Sequence, residues 1–175
     1  MSEQRKYKFS WDNTVGSDMG LARPSLGPKT SVEAYRMFQF TLRDLLEQNY
    51  GADVTDDLFR QAGVMAGREF FKRFCNEAAD LASLSNILRN TFINLGIGIL
   101  RVEKADAQKM EFTFNVDEDL DCSGMPDTSE VICVYDEGFI KGILEEFSGK
   151  KFTVREVDCW CSGSRTCRFD AHLAE

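Results

Sequence analysis

The stretch FTVREVDCWCSGSRTCRFDAH, residues 152–172, decides the fold. It contains two strand-like runs, Phe152 to Cys159 and Cys167 to His172, and Ser162, Gly163 and Ser164 spell a tight turn between them. The chain therefore closes on a hairpin. Glu156, Cys159 and Cys167 lie on that hairpin, Cys161 lies inside it, and Cys133 stands upstream. Thiolate and carboxylate are ligands that zinc accepts, and a closed structural site takes four. An ion held by Cys133, Glu156, Cys159 and Cys167 would clip the hairpin and tie it to an earlier element. Buried free thiols, or a Cys159–Cys167 or Cys161–Cys167 disulfide, are the competing readings. Six cysteines in 175 residues are too sparse for a disulfide scaffold. Glu156 and Cys159 have opposite parity on a strand, so facing one ion requires a twist or bulge between them.

Upstream of the hairpin, a helix is expected near Asp136 to Phe147, with Phe139, Ile140, Ile143 and Leu144 on its apolar side and Gly149 as its stop. Before it comes an acidic loop, Asp117 to Glu130, expected to be solvated; Cys122 within it receives no assignment. Met110 to Val116 is the cleanest strand, with Met110, Phe112, Phe114 and Val116 on one face. Ile97 to Val102 forms another strand, read with Ile97 and Ile99 on one side. Three helices precede these strands. The first spans about Ser31 to Asn49 and stops at Gly51. The second opens on Thr55 as N-cap, and the third runs from about Glu77 to Asn94. Gly63 and Gly67 cost the second helix about 1 kcal/mol each relative to alanine, so that face either packs closely on another helix or leaves room for a ligand. The pattern is α+β: an N-terminal helical layer packed on a mostly antiparallel sheet, with one inserted helix and a zinc-clipped C-terminal hairpin. Residues 1–29 read as a leader, extended or wrapped on a partner, and residues 30–175 as a single ligand-binding domain.

Net charge of −8 repels phosphate backbones and anionic headgroups, so neither nucleic-acid nor membrane binding is expected. No apolar signal segment is visible, and the chain reads as cytoplasmic, where thiols stay reduced. The single histidine, His172, is expected to face solvent, which removes the usual base for serine or cysteine nucleophiles. No phosphate-binding glycine motif is present. An enzyme is thus not the favoured reading. An aromatic-rich interior with fourteen phenylalanines suits a protein that holds an apolar molecule. Candidate pocket residues, from the inward faces, are Ala66, Phe70, Leu84, Leu88, Ile99, Phe112 and Phe114, with ordinary core as the alternative role of each.

Cys133 to Gly142 (CVYDEGFIKG), Val154 to Cys159 (VREVDC) and Gly163 to Phe169 (GSRTCRF), with Gly63, Gly67 and the Gly96-Ile97-Gly98 strand start, together resemble the 4-vinyl reductase domain family. The resemblance covers about Leu26 to Leu173. It implies a small α+β domain, related to nitric-oxide-sensing and Golgi-transport folds, that binds small molecules. It also implies zinc held by Cys133, Glu156, Cys159 and Cys167, a homodimer, and a separate effector protein to receive any signal. An accessory role or activity in tetrapyrrole-type reduction, or service as an assembly subunit like the trafficking relatives, is the alternative. Phenol-sensing members orient their ligand with a histidine and a tryptophan; this chain has no histidine outside its C-terminal strand, so that route is not expected.

Overall fold

In the computed structural model, residues 7–16 and 18–174 are described. The leader carries two short helices, α1 (Trp11–Val15) and α2 (Met19–Ala22). Ser10 caps α1. The Trp11 ring meets Phe74 edge-on at 5.0 Å, and its backbone N–H donates to Glu69. Part of the leader is therefore seated on the domain, and Met1 to Lys6 lie outside the described residues.

Helix α3 (Val32–Tyr50) starts on the Ser31 cap, and α4 (Ala52–Phe70) follows with only Gly51 between them. At φ +81°, Gly51 ends one helix and begins the next, so α4 starts three residues before the expected Thr55. Thr55 is not an N-cap: it is buried inside α4, where its hydroxyl donates back to the Gly51 carbonyl at 2.9 Å. A π-helical turn, Phe71–Cys75, extends α4. Helix α5 (Leu81–Leu95) opens on a capping box between Asp80 and Ser83, later than the expected Glu77, and ends at the left-handed Gly96.

Strands β1 (Ile99–Asp106) and β2 (Glu111–Asp117) form a hairpin, α6 (Val134–Ser148) is inserted, and β3 (Phe152–Asp158) and β4 (Cys167–Leu173) close the chain. The sheet order is β1-β2-β4-β3 and every pair is antiparallel. This is an α+β fold with one inserted helix. One sheet face is apolar: Phe112, Phe114, Val116, Phe152, Val154, Phe169 and Ala171 are all buried. Helix α6 packs on β3 and α4, and α5 packs on β1. Leu100 and Val102 pair opposite Val116 and Phe114 and share their inward face. Ile99, opposite Asp117, therefore points the other way, a one-residue parity error in the sequence reading.

Helices α4 and α6 cross through glycines on both sides. A Cβ added at Gly63 or Gly67 would lie 2.1 Å from the carbonyl oxygen of Tyr135 or Phe139, and one at Gly138 would lie 2.0 Å from that of Arg60. The small-residue face of α4 is thus occupied by a neighbouring helix, and no room remains there for a ligand.

Candidate metal centre and adjoining cavity

The C-terminal cysteines converge because three element ends meet. Cys133 precedes α6, Cys159 follows β3, and Cys167 opens β4. The sheet register slips between Glu156 and Asp158, which is the bulge that the opposite parity of Glu156 and Cys159 requires. Cys122, from the segment after β2, joins them. All four thiols are free and fully buried, and their sulfurs lie within 4.8 Å of one another.

Three sulfur separations are 3.8 Å (Cys133–Cys159), 3.8 Å (Cys133–Cys167) and 3.9 Å (Cys159–Cys122), and Cys122–Cys167 is shorter at 3.1 Å. A tetrahedral zinc with bonds of about 2.3 Å sets its thiolates about 3.8 Å apart. The donor set thus has the size and chemistry of a four-thiolate site. Glu156 lies against it: its Oε2 accepts from the Cys133 backbone N–H at 2.9 Å, while its Oε1 is buried without a hydrogen-bond partner among the described residues.

The electrostatics favour a cation. Burial pushes the Asp119 carboxyl up to about 7 and that of Glu156 up to about 9; it raises Asp121 as well. The Cys159 thiol is pulled down by hydrogen bonds from Cys122, Cys133 and Cys167. The same bonds, that with Cys122 foremost, push the Cys133 thiol up. Ionising four thiols beside these acids needs compensating positive charge. Cys161 stands apart: it is buried, and burial raises its thiol to about 12. His172 is exposed, as expected.

The loop expected to be solvated is therefore the opposite over part of its length. Asp119, Asp121 and Cys122 are buried because each finds partners. Asp119 Oδ1 accepts from the N–H groups of Asp121 and Cys122, and Asp121 accepts from the Tyr35 hydroxyl and the Gln39 amide, each at 2.8 Å. The available signal was a thiol between carboxylates in a loop close in sequence to three other thiols.

A cavity of about 320 Å³ opens between α5 and the sheet. The expected Leu84, Leu88, Phe112 and Phe114 line it together with Leu81 and Leu144. Ala66 and Phe70 do not; Phe70 packs into the helical core against Phe139 and Phe92 at 5.1 and 5.9 Å. Ile99 is absent from the lining for the parity reason given above.

No helix among the described residues is long and apolar enough to cross a membrane. The family model of the 4-vinyl reductase domain matches residues 112–173. Two uncharacterized proteins of Methanocaldococcus jannaschii are similar, one 34% identical over 32% of this chain and 35% of its own length, the other 28% identical over 59% and 56%. The chain thus spans only about a third to a half of these curated relatives. Among solved structures, the phenol-responsive sensory domain of the transcription activator PoxR, with phenol, superposes at TM-score 0.63, 17% identity, over 82% of this chain and 75% of that one. A vinyl-4-reductase family protein from Methanocaldococcus jannaschii gives 0.58, 18% identity, over 84% and 83%. Trafficking protein particle complex subunit 3 from Naegleria fowleri, covalently bound to palmitic acid, gives 0.62, 16% identity, over 82% and 95%. These likenesses show the fold across the helices and the sheet alike, and from β2 to the end of β4, at residues 112–173, this chain carries a 4-vinyl reductase domain.

Proposed function

We propose that this protein is a zinc-containing domain that binds a small hydrophobic or aromatic molecule in the cavity between α5 and the sheet, and acts as a sensor or carrier through a separate effector protein. The observation that carries the reading is the 320 Å³ cavity walled by Leu84, Leu88, Phe112 and Phe114. A cavity of roughly 150 Å³ lined by apolar side chains suffices to hold benzene, so this one admits a larger ring or a short chain. Ser85 supplies the one hydroxyl at its wall, which favours a molecule that is mostly apolar. Phenol in the PoxR sensory domain and palmitic acid in the trafficking subunit support the idea that this fold accommodates apolar bodies.

Zinc is held by Cys133, Cys159 and Cys167 together with a fourth donor, Cys122 or Glu156. It supplies a structural clip, with no open position needed for chemistry. Residues 30–175 act as the ligand-binding unit, and six free cysteines favour a reducing, cytoplasmic setting. A homodimer is supported by α3, which exposes Met37 (68%), Phe38 (70%) and Leu45 (57%).

Thermal unfolding with a panel of saturating apolar probes, on the wild type and on Leu88→Phe, tests the pocket. Stabilisation of the wild type that the cavity-filling variant loses is the expected result. No stabilisation by any probe, or equal stabilisation of both proteins, overturns the assignment.

A further inference from the structure

Five protein donors surround a position at which tetrahedral zinc uses four. Four are the thiols of Cys122, Cys133, Cys159 and Cys167, and the fifth is the unpartnered Oε1 of Glu156, a residue only 7% exposed. The donors differ in what carries them. Cys133, Cys159 and Cys167 sit at the ends of α6, β3 and β4. Glu156 is within β3, and its backbone N–H donates to the buried Glu137 of α6 at 3.0 Å. Cys122 alone comes from the irregular segment that joins β2 to α6.

That segment is also what seats the N-terminal half of α3. Tyr35 and Gln39 donate to the two oxygens of Asp121. Arg36 donates to the carbonyls of Leu120 and Ser123, at 2.8 and 2.9 Å. The C-terminal half is held independently by α4, through the Arg43–Asp56 ion pair. The loop thus has two attachments, the thiol cluster on one side and α3 on the other, with one residue between Asp121 and the next anchor at Ser123.

We infer that Cys122 is the exchangeable fourth ligand of the metal centre, that Glu156 replaces it when it leaves, and that Cys122 ligation governs how firmly α3 is docked. This rests on the proposed metal reading. The donors carried by regular structure keep the ion in either state: three thiolates with Cys122, or the same three with the Glu156 carboxylate. Both sets carry the same formal charge, so the exchange leaves the electrostatics of the buried site unchanged. What changes is the anchorage of residues 119–123, and with it the helix that presents the exposed apolar face. The centre would then report on its own ligation through α3, where a partner can read it.

The test loads the full-length, metal-stripped chain with cobalt(II), whose sulfur-to-metal charge-transfer absorption grows with the number of bound thiolates. Wild type is expected to bind one cobalt with a four-thiolate spectrum, and Glu156→Gln alone to leave that spectrum unchanged. Cys122→Ser is expected to keep one cobalt at about three-quarters of the charge-transfer intensity, and the double variant Cys122→Ser/Glu156→Gln to lose the metal. Amide exchange across residues 33–40 should be faster in Cys122→Ser at full metal loading than in wild type. A Cys122→Ser protein without metal removes Glu156 as the replacement ligand. A spectrum altered by Glu156→Gln but not by Cys122→Ser makes Glu156 the resident ligand and overturns the inference. Unchanged exchange in α3 overturns the coupling. Wild type that takes up no cobalt defeats the underlying metal reading instead, which separates the two failures.

Discussion

Substituting Gly67 by alanine sets two effects of opposite sign against each other. Alanine is the better helix former by about 1 kcal/mol, so an exposed glycine would be improved by the change. Here the new Cβ would sit 2.1 Å from the Phe139 carbonyl oxygen and 3.0 Å from its carbon. Relief needs α4 and α6 to separate by roughly 1 Å, enough to forfeit a good part of the dispersion energy of the atoms they share. The obstacle is helix backbone, which cannot rotate away as a side chain would. On the facing side, Gly142 brings its own Cα within 3.2 Å of the same added atom. Parting the helices also loosens Phe70 against Phe139, now 5.1 Å between ring centroids. Overpacking of this kind costs about 1–3 kcal/mol, occasionally more, and a backbone obstacle belongs at the upper end. After the gain in helix preference, Gly67→Ala is expected to be about 2 kcal/mol less stable, with a melting temperature lower by about 4–8 °C. Urea unfolding followed by circular dichroism measures it, with an unchanged denaturant slope as the sign of an intact native state. Gly142→Ala should act similarly. The double variant should cost less than the sum, because the first substitution opens part of the gap the second needs. A Gly67→Ala protein as stable as wild type, or more so, would refute the close crossing.

Three further outcomes are expected. Cys159→Ser or Cys167→Ser should lower bound zinc well below one per chain and reduce the melting temperature; elemental analysis with calorimetry checks this, and full zinc with an unchanged transition would remove these ligands. Burial raises the Glu145 carboxyl, but hydrogen bonds from Arg68 and Lys151 outweigh it and hold the group below its ordinary value near 4.5. A carboxylate depressed in the folded state contributes stability that is full above its unfolded pKa and is lost as pH falls through the folded one. Glu145→Gln should therefore cost about 1 kcal/mol at neutral pH, both cations being partly hydrated, and the gap to wild type should close in acid; a gap that widens on acidification counts against the pairing. Phe38→Asp should convert a dimer to monomer in light scattering without lowering the monomer's stability, and an unaltered mass would acquit the α3 face.

Much of the fold was legible because it is written in local period and punctuation. The α3 and α6 helices, the caps at Ser31 and Gly149, the β2 alternation and the closing hairpin depend on neighbours a few residues away. Three of the four clustered thiols were marked for the same reason, by sitting together near a turn. Thr55 misled because one glycine at positive φ serves two helices, leaving no loop for a cap to close. Ile99 misled because a strand apolar on both faces has no parity until it is paired, and its partner is Asp117.

The fourth thiol illustrates the remaining boundary. In sequence, Asp119, Asp121 and Cys122 form an acidic loop whose cheapest surroundings are water. They are buried because Tyr35 and Gln39, more than eighty residues earlier in the chain, supply the donors that replace that water. Likewise, Gly63 and Gly67 were visible as an anomaly, but only α6, lying against them through Gly138 and Gly142, turns the anomaly into a helix crossing. The sequence by itself determined where the helices and strands run and which residue types are suited to hold a metal. The tertiary structure alone decided which of those residues meet, because burying a charge or two backbones at contact distance is favourable only when the distant partner is already in place.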